Sequence, residues 1–432
     1  MCSAAKPNPL LSIIIPTRDR AKYAISAIRS VLSFPSDQFE LVVQDNSTND
    51  VLAEAIQPWL GDARLVYQHS LEAMPMIGNF TKGLELSRGT YITYLGDDDG
   101  ANPELIDAAI WADQNKIDVL TTTRPAIYSW PDLRFKYLQK RLAGRLGIRR
   151  FSGKMRFIDP DRELRKCASA AGELYAARLP LAYYGIAKRE CIERIKQFTG
   201  SYFPGPSPDL AIAIGLASQA KLICQIDYPL FLPGISMGNA HAFGRADYNE
   251  LRLETKSLLP KEAVRDWSPL VPAFFCGPTM WGETAVKALS AIGRKDVLAD
   301  FNIPYLHAKC AVFYPGLRSM ILANFNQALR ANNQVRLLAW SRFMSGYISI
   351  WGSRARNLFG NVRSALTPNV GSRGITDLNN IEEAVDSLSE YLKSTNRKFG
   401  DAFSCNPNVA RRSDPFTPAP TATDGNKSAS LR

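Results

Sequence analysis

The chain has 432 residues, 46% of them apolar, which is too long for one ordinary domain and enough to bury a sizeable core. Aromatic and β-branched residues are plentiful, so wholesale disorder is excluded. With 52 basic residues against 41 acidic the net charge is +11, a surplus that points to an anionic partner such as nucleic acid, lipid phosphate or nucleotide phosphate. The seven cysteines are odd in number and form no CxxC pair, which argues against a disulfide framework or a zinc knuckle and for a reducing compartment. The N-terminus, MCSAAKPNPL, has no signal-peptide apolar region. No apolar run reaches the roughly 18 residues of a spanning helix. The expected location is cytoplasmic, at most peripheral on a membrane.

Residues 10–16, LLSIIIP, read as a strand buried on both faces. The polar loop Thr17-Arg18-Asp19-Arg20 follows, then a helix over 21–32. A second buried strand, 39–43, ends at Gln44-Asp45-Asn46-Ser47. Residues 51–60 read as helix, 63–67 as strand, and 77–87 as a helix closed by Arg88-Gly89 as its C-cap. A fourth strand, 90–95, ends at Gly96-Asp97-Asp98-Asp99-Gly100, and Pro103 opens a helix over 104–115. A strand at 118–122 follows. This alternation predicts a doubly wound α/β domain, in which ligands bind at the carboxyl ends of strands.

Residues 133–158 crowd nine basic side chains into 26 positions with no acid. Residues 180–186 read as strand, 187–198 as helix, 210–220 as a strongly apolar helix after Ser207-Pro208-Asp209, and 222–226 and 230–232 as strands. Beyond about 245 the pattern is mainly helical. Residues 301–376 hold nine Lys or Arg and no Asp or Glu. The tail from about 405, rich in Pro, Thr, Ser and Ala, reads as disordered.

Three successive aspartates after a buried strand repel one another, so a positive group is expected between them. Mg²⁺ and Mn²⁺ prefer such hard oxygen ligands, with phosphate oxygens completing the shell. Taken alone, DDDG reads as a solvated turn. Thr17 and Asp19 at the end of the first strand, and Asp45 at the end of the second, add two more polar loops on the same sheet edge, which together make a site.

The motifs SIIIPTRDR, VVQDNSTND and NFTKGLELSRGTYITYLGDDD, in this order over about the first 120 residues, resemble the inverting family 2 glycosyltransferases. The resemblance implies a GT-A nucleotide-sugar-binding fold: a doubly wound mixed sheet with helices on both faces, here followed by a mainly helical region. It also implies a divalent metal (Mn²⁺ or Mg²⁺) and a nucleoside-diphosphate sugar donor with uracil or thymine as base. Pro16, Thr17, Arg18 and Asp19 would line the nucleotide pocket, Asp45 would accept the base N–H, and Asp97 would approach the ribose. Asp98 would hold the metal, with Asp99 the alternative. His241, in the loop GISMGNAHAFGR, matches a late His or Arg that contacts the diphosphate in some related enzymes; a plain loop histidine is the other reading.

The family takes its catalytic base from the acceptor half, near a helix start. Asp209 fits, as general base or as a first-turn acid favoured by the helix dipole, and the two roles are compatible. Asp227 is the rival, although Asp-Tyr-Pro reads as a turn. The expected domains are 8–245, with a donor half of about 8–125 and an acceptor half of about 160–245, then a helical region 246–404 and the tail 405–432. The acceptor would be a sugar or lipid-linked hydroxyl in polysaccharide or glycoconjugate assembly. Residues 337–359 mix aromatics with arginines, as a helix on an anionic membrane surface does; packing on the catalytic domain is the alternative. No recognition motif or stacking platform suggests nucleic acid. Two other readings remain: a nucleotidyltransferase, for which PTRDR lacks the glycine-rich loop, and a non-catalytic protein binding sugar nucleotides or membrane.

Overall fold

The computed structural model describes residues 8–133, 143–173, 175–237, 251–256, 258–332, 334–366 and 372–402. Part of the first basic run, His241 and the tail expected to be disordered lie outside the described residues.

The chain opens with β1 (Leu11–Thr17), α1 (Ala21–Leu32), β2 (Phe39–Asp45), β3 (Leu65–His69), α2 (Met76–Leu86), β4 (Tyr91–Tyr94), β5 (Gly100–Ala101) and α3 (Leu105–Gln114). It continues with β6 (Val119–Thr122), β7 (Ala126–Ser129), β8 (Arg145–Arg149), β9 (Met155–Phe157), α4 (Pro160–Ser169), β10 (Gly185–Lys188), α5 (Arg189–Thr199) and α6 (Pro208–Gln219). Next come β11 (Ile223–Ile226), β12 (Phe231–Leu232) and β13 (Gly234–Ile235). The mainly helical remainder holds α7 (Gly277–Ala291), α8 (Ile303–Phe313), α9 (Arg318–Ala331), α10 (Arg336–Leu366), β14 (Ser372–Ile375) and α11 (Ile381–Ser394).

Eight strands form one mixed sheet in the order β3-β2-β1-β4-β10-β6-β11-β9. β1, β2, β3 and β4 run parallel, while β10 is antiparallel to both β4 and β6. Every residue of β2 is buried, as a strand covered by helices on both sides must be. Side-chain alternation divides the burial. Ile13, Ile15, Leu41 and Val43 pack with Ala24, Ile28 and Val31 of α1. Ile14 and Val42 face the other side, with Leu84, Ile192 and Ile195. This is the doubly wound α/β architecture that the alternating pattern predicts.

Two local expectations change, and one contact is new. α2 ends at Ser87, which is extended, so Arg88-Gly89 is not its cap. Gly89 serves a close approach instead: its N–H donates to Ser12 Oγ at 2.7 Å, and a Cβ there would lie 2.6 Å from the Ser12 nitrogen. The strand read over 180–186 is confined to β10, because Tyr184 turns the chain at φ +60°. Finally, the C-terminal segment returns to the first core. β14 pairs with β8, and Ile381, Ala384, Val385 and Leu388 of α11 join the cluster around α1. A second core gathers α4, α6, α7, α8 and α9.

In that second core Glu283 is fully buried and accepts the Ser268 N–H at 3.1 Å from both carboxylate oxygens. Burial outweighs this bond and Lys287, pushing the carboxyl from 4.5 up to about 7. The folded value lies above the unfolded one, so the stability contribution is complete below the unfolded value and lost as pH rises through the folded one. Wild-type stability is expected to fall by about 3 kcal/mol on this account between about pH 4 and pH 8. Urea denaturation of Glu283→Gln should show a shallower fall than wild type; identical slopes would refute the assignment.

Candidate functional site

Two cavities meet at the carboxyl ends of β1 and β4. The first, about 480 Å³, is lined by Pro16, Thr17, Arg18, Asp19, Arg20, Asn46, Asp97 and Asp98 among others. The second, about 330 Å³, is lined by Asp98, Arg124, Tyr175, Tyr183, Tyr184, Asp209 and the first residues of α7. Asp98, Met76, Phe80, Tyr183 and Leu258 belong to both walls.

The three aspartates leave β4 in different directions. Asp97 accepts from Thr17 Oγ1 at 2.8 Å and from Arg20 Nε at 2.7 Å. Asp98 accepts from Ser236 Oγ at 2.5 Å and pairs with Arg20 Nη2 at 3.0 Å. Asp99 turns into the protein, where its carboxylate takes hydrogen bonds from the backbone N–H groups of Gly96 and Gly234 and from the hydroxyls of Tyr183 and Tyr184, at 2.7–3.1 Å. Those four bonds use its oxygens inward, so the geometry favours Asp98 over Asp99 as a ligand to anything in the cavities. Burial, opposed by Arg20 and reinforced by Asp98, pushes the Asp97 carboxyl up to about 6. Burial and Asp98 push Asp99 up to about 7. β13 approaches so closely that a Cβ on Gly234 would overlap the Asp98 carbonyl, at 1.8 Å. That carbonyl accepts from Trp130 Nε1 at 2.9 Å.

Asp19 stands at φ +56° and accepts from the Thr48 N–H at 2.8 Å, tying the β1 and β2 loops. Arg18 reaches the Met74 carbonyl at 3.3 Å. Asp45 is fully buried, is not among the lining residues of either cavity, and accepts from the Ser47 N–H at 2.8 Å and Tyr67 Oη at 2.9 Å. His241 lies outside the described residues.

Asp209 sits in the first turn of α6, behind Ser207 and Pro208. Tyr175 Oη donates to one carboxylate oxygen and Ser207 Oγ to the other, and the group lines the second cavity. Asp227, the rival base, is not among that cavity's lining residues. Its oxygens accept from Thr123 Oγ1 at 2.5 Å and from Ser152 at 2.7 Å. Burial raises its carboxyl, but those bonds outweigh it and hold the carboxyl low.

Among the described residues no group of three or more His, Cys, Asp or Glu is arranged to hold a metal. The hard oxygens of Asp97 and Asp98 fit a divalent cation only if a ligand's phosphate oxygens complete the shell. Sequence reasoning passed over Arg20, Ser236 and the tyrosine pair. Arg20 alone carried a signal, since it stands in the polar loop after β1, on the sheet edge where the aspartates were expected.

Comparison with known proteins matches residues 12–170 to the model of glycosyl transferase family 2. WcaA of Escherichia coli strain K12, described as a candidate colanic acid biosynthesis glycosyl transferase, is 34% identical over 99 residues, which cover 23% of this chain and 36% of WcaA. The GalNAc(5)-diNAcBac-PP-undecaprenol beta-1,3-glucosyltransferase of Campylobacter jejuni is 30% identical over 105 residues, which cover 24% of this chain and 32% of that enzyme. The matched segment thus spans about a third of each of these two relatives. TarS of S. aureus, in complex with UDP-GlcNAc, aligns with a TM-score of 0.48 at 16% identity, over 80% of this chain and 92% of that one.

Breaking a buried ion pair leaves an uncompensated charge. Arg20→Gln should therefore lower the melting temperature, by an amount corresponding to roughly 1–3 kcal/mol, and scanning calorimetry without added metal would read it. An unchanged melting temperature would show that Arg20 does not hold Asp97 and Asp98.

Proposed function

We propose, on the premise that residues 12–170 make up a family 2 glycosyltransferase domain, that this chain transfers a sugar from a nucleoside-diphosphate sugar to a hydroxyl acceptor with inversion. The observation that carries the reading is the pair of adjoining cavities with Asp98 in their common wall. The first takes the nucleotide, with a uracil or thymine base, against Pro16, Thr17, Arg18 and Asp19. The second takes the acceptor, and its aromatic wall of Phe80, Tyr183, Tyr184 and Trp281 suits sugar-ring faces. Asp45 acts by orienting Tyr67 and the β2 loop.

Asp209 is the general base. Tyr175 and Ser207 hold its carboxylate in one orientation, and it takes the proton of the acceptor hydroxyl as that oxygen attacks the anomeric carbon. Attack from the acceptor cavity comes from the face opposite the diphosphate, which gives inversion. Asp98, with Asp97, would hold Mn²⁺ or Mg²⁺, which stabilises the charge that builds on a departing diphosphate. The setting is polysaccharide or glycoconjugate assembly, as the relatives' names suggest.

One assay tests the reading. Nucleotide-sugars are screened by thermal shift with and without Mn²⁺, and transfer from the best donor is measured. Asp209→Asn should lower transfer by about 100-fold or more with donor binding little changed, and EDTA should abolish transfer until Mn²⁺ is restored. Wild-type turnover by Asp209→Asn would reject the base, and full activity in EDTA would reject the metal. Nucleotide transfer in place of sugar transfer would move the chain to the nucleotidyltransferase reading.

No helix among the described residues is long and apolar enough to cross a membrane. We further propose a cytoplasmic protein with α10 lying on an anionic surface. The apolar side chains of the helix divide between packing and exposure. Phe343 and Trp340 pack on Phe325 of α9 at 5.2 and 5.1 Å between ring centroids. Leu337, Met344, Ile348 and Trp351 recur at helical spacing and stay 45–84% exposed. Arg336, Arg342, Arg354 and Arg356 share the helix, without any acid. Co-sedimentation with anionic but not neutral vesicles is expected, with partial release in high salt. Trp351→Ser should weaken the salt-resistant part, whereas Trp340→Ser should mainly destabilise the fold. Equal recovery from both vesicle types with no salt effect would reject the surface.

A further inference from the structure

Arg124 follows β6 and lines the second cavity together with Asp209. Its backbone sits at φ +52°, a conformation that costs a non-glycine residue free energy and persists where the surroundings impose it. The guanidinium donates to the Ala176 carbonyl at 2.6 Å and lies 5.6 Å from the centroid of the Tyr184 ring. Among the described residues no carboxylate forms an ion pair with it. Two charged groups act on it: another cation, Arg149, which donates to the Arg124 carbonyl at 3.2 Å, and the Asp99 carboxylate, which forms no ion pair with it and is engaged by four other donors. Burial works against the positive charge and Arg149 adds repulsion, which Tyr184, Tyr175 and Asp99 offset only in part. A half-buried guanidinium with no carboxylate in direct contact has room for an anionic partner.

The surroundings agree in sign. Cys276 and Gly277, at the N-terminus of the 15-residue α7, line the same cavity, and a helix start favours negative charge. The carboxylates that share the wall are engaged elsewhere. Asp98 is paired with Arg20, and Asp209 with Tyr175 and Ser207.

We propose that Arg124 forms a subsite for an anionic oxygen group, carboxylate or phosphate, carried by the acceptor near the hydroxyl that Asp209 deprotonates. The proposal rests on the glycosyltransferase reading, because it takes the second cavity as the acceptor's. It narrows the acceptor to a class: a sugar bearing a uronate, or a phosphate-linked sugar.

The test uses the full chain and three probes, methyl glucuronide, methyl phosphate and neutral methyl glucoside, titrated calorimetrically with UDP and Mn²⁺ present to fill the donor cavity. At least one anionic probe should bind more tightly than the neutral one, and which of them does so tells uronate from phosphate. Arg124→Gln should weaken that binding by about tenfold or more, the loss for a hydrogen bond to a charged group, and leave UDP affinity within about twofold. Arg124→Lys, which keeps the charge and guards against a misfolded variant, should fall between. Three outcomes would overturn the proposal: equal binding of neutral and anionic probes, anionic binding unaffected by Arg124→Gln, or UDP affinity lost in parallel, which would assign Arg124 to the donor. A wild-type chain that bound neither UDP nor dTDP in the presence of Mn²⁺ would sink the glycosyltransferase reading while the anion titration stayed readable on its own.

Discussion

Three carboxylates buried side by side at the end of β4 are the constraint around which this site is organised. Moving a carboxylate out of water costs several kcal/mol even after relaxation, and Asp97, Asp98 and Asp99 are each less than a tenth exposed. The chain offsets that cost with groups drawn from distant segments. Arg20 comes from the start of α1, Ser236 and the Gly234 N–H from β13, and Tyr183 and Tyr184 from the turn before β10. Each of these bonds ties a loop to one point, and the cavities are the spaces left between the loops.

Sheet topology explains why there are two cavities. β10 lies between β4 and β6 and runs antiparallel to both. The run of parallel strands is thereby interrupted at the acidic cluster, and the turn leading into β10 delivers the tyrosines to it. The segment from β6 onward supplies Arg124, and the helices beyond supply Asp209 and the α7 terminus. The first cavity is built mostly from the first hundred residues, with Tyr183 and Leu258 added, whereas the second is assembled from segments far apart in sequence and backed by the second core.

That difference sets what the sequence could disclose. Strands β1, β2 and β4 and helix α1 were legible because short β-branched runs and helical periodicity are local signals. The acidic triplet was legible as a cluster, but not its division of labour, since the inward turn of Asp99 depends on Gly234 and two tyrosines more than 80 positions away. Gly89 was misread as a cap because a glycine after a helix looks the same whether it turns the chain or admits a neighbouring strand. The return of α11 to the first core was invisible for a related reason. Amphipathic spacing shows that a helix has a partner and does not say which one. In α10 the aromatics are divided between packing and exposure, a distinction that composition cannot make.

The charge balance of the first cavity bears on the proposed metal. Asp97 and Asp98 bring two carboxylates, and Arg20 is the guanidinium committed to them. Arg18 lines the same space, and its nearest carboxylate is its neighbour Asp19, 3.6 Å away. A diphosphate entering there would add negative charge to a wall already matched by a single cation. In a site of low dielectric such repulsion is strong. A hard divalent cation between phosphate and Asp98 would reverse the sign of the interaction and turn the carboxylate from an obstacle into a ligand. Without one, Arg18 would have to carry the whole diphosphate charge from an exposed loop. The same reasoning separates the two aspartates. Asp98 lines both cavities, while Asp99 is satisfied by four donors within the protein.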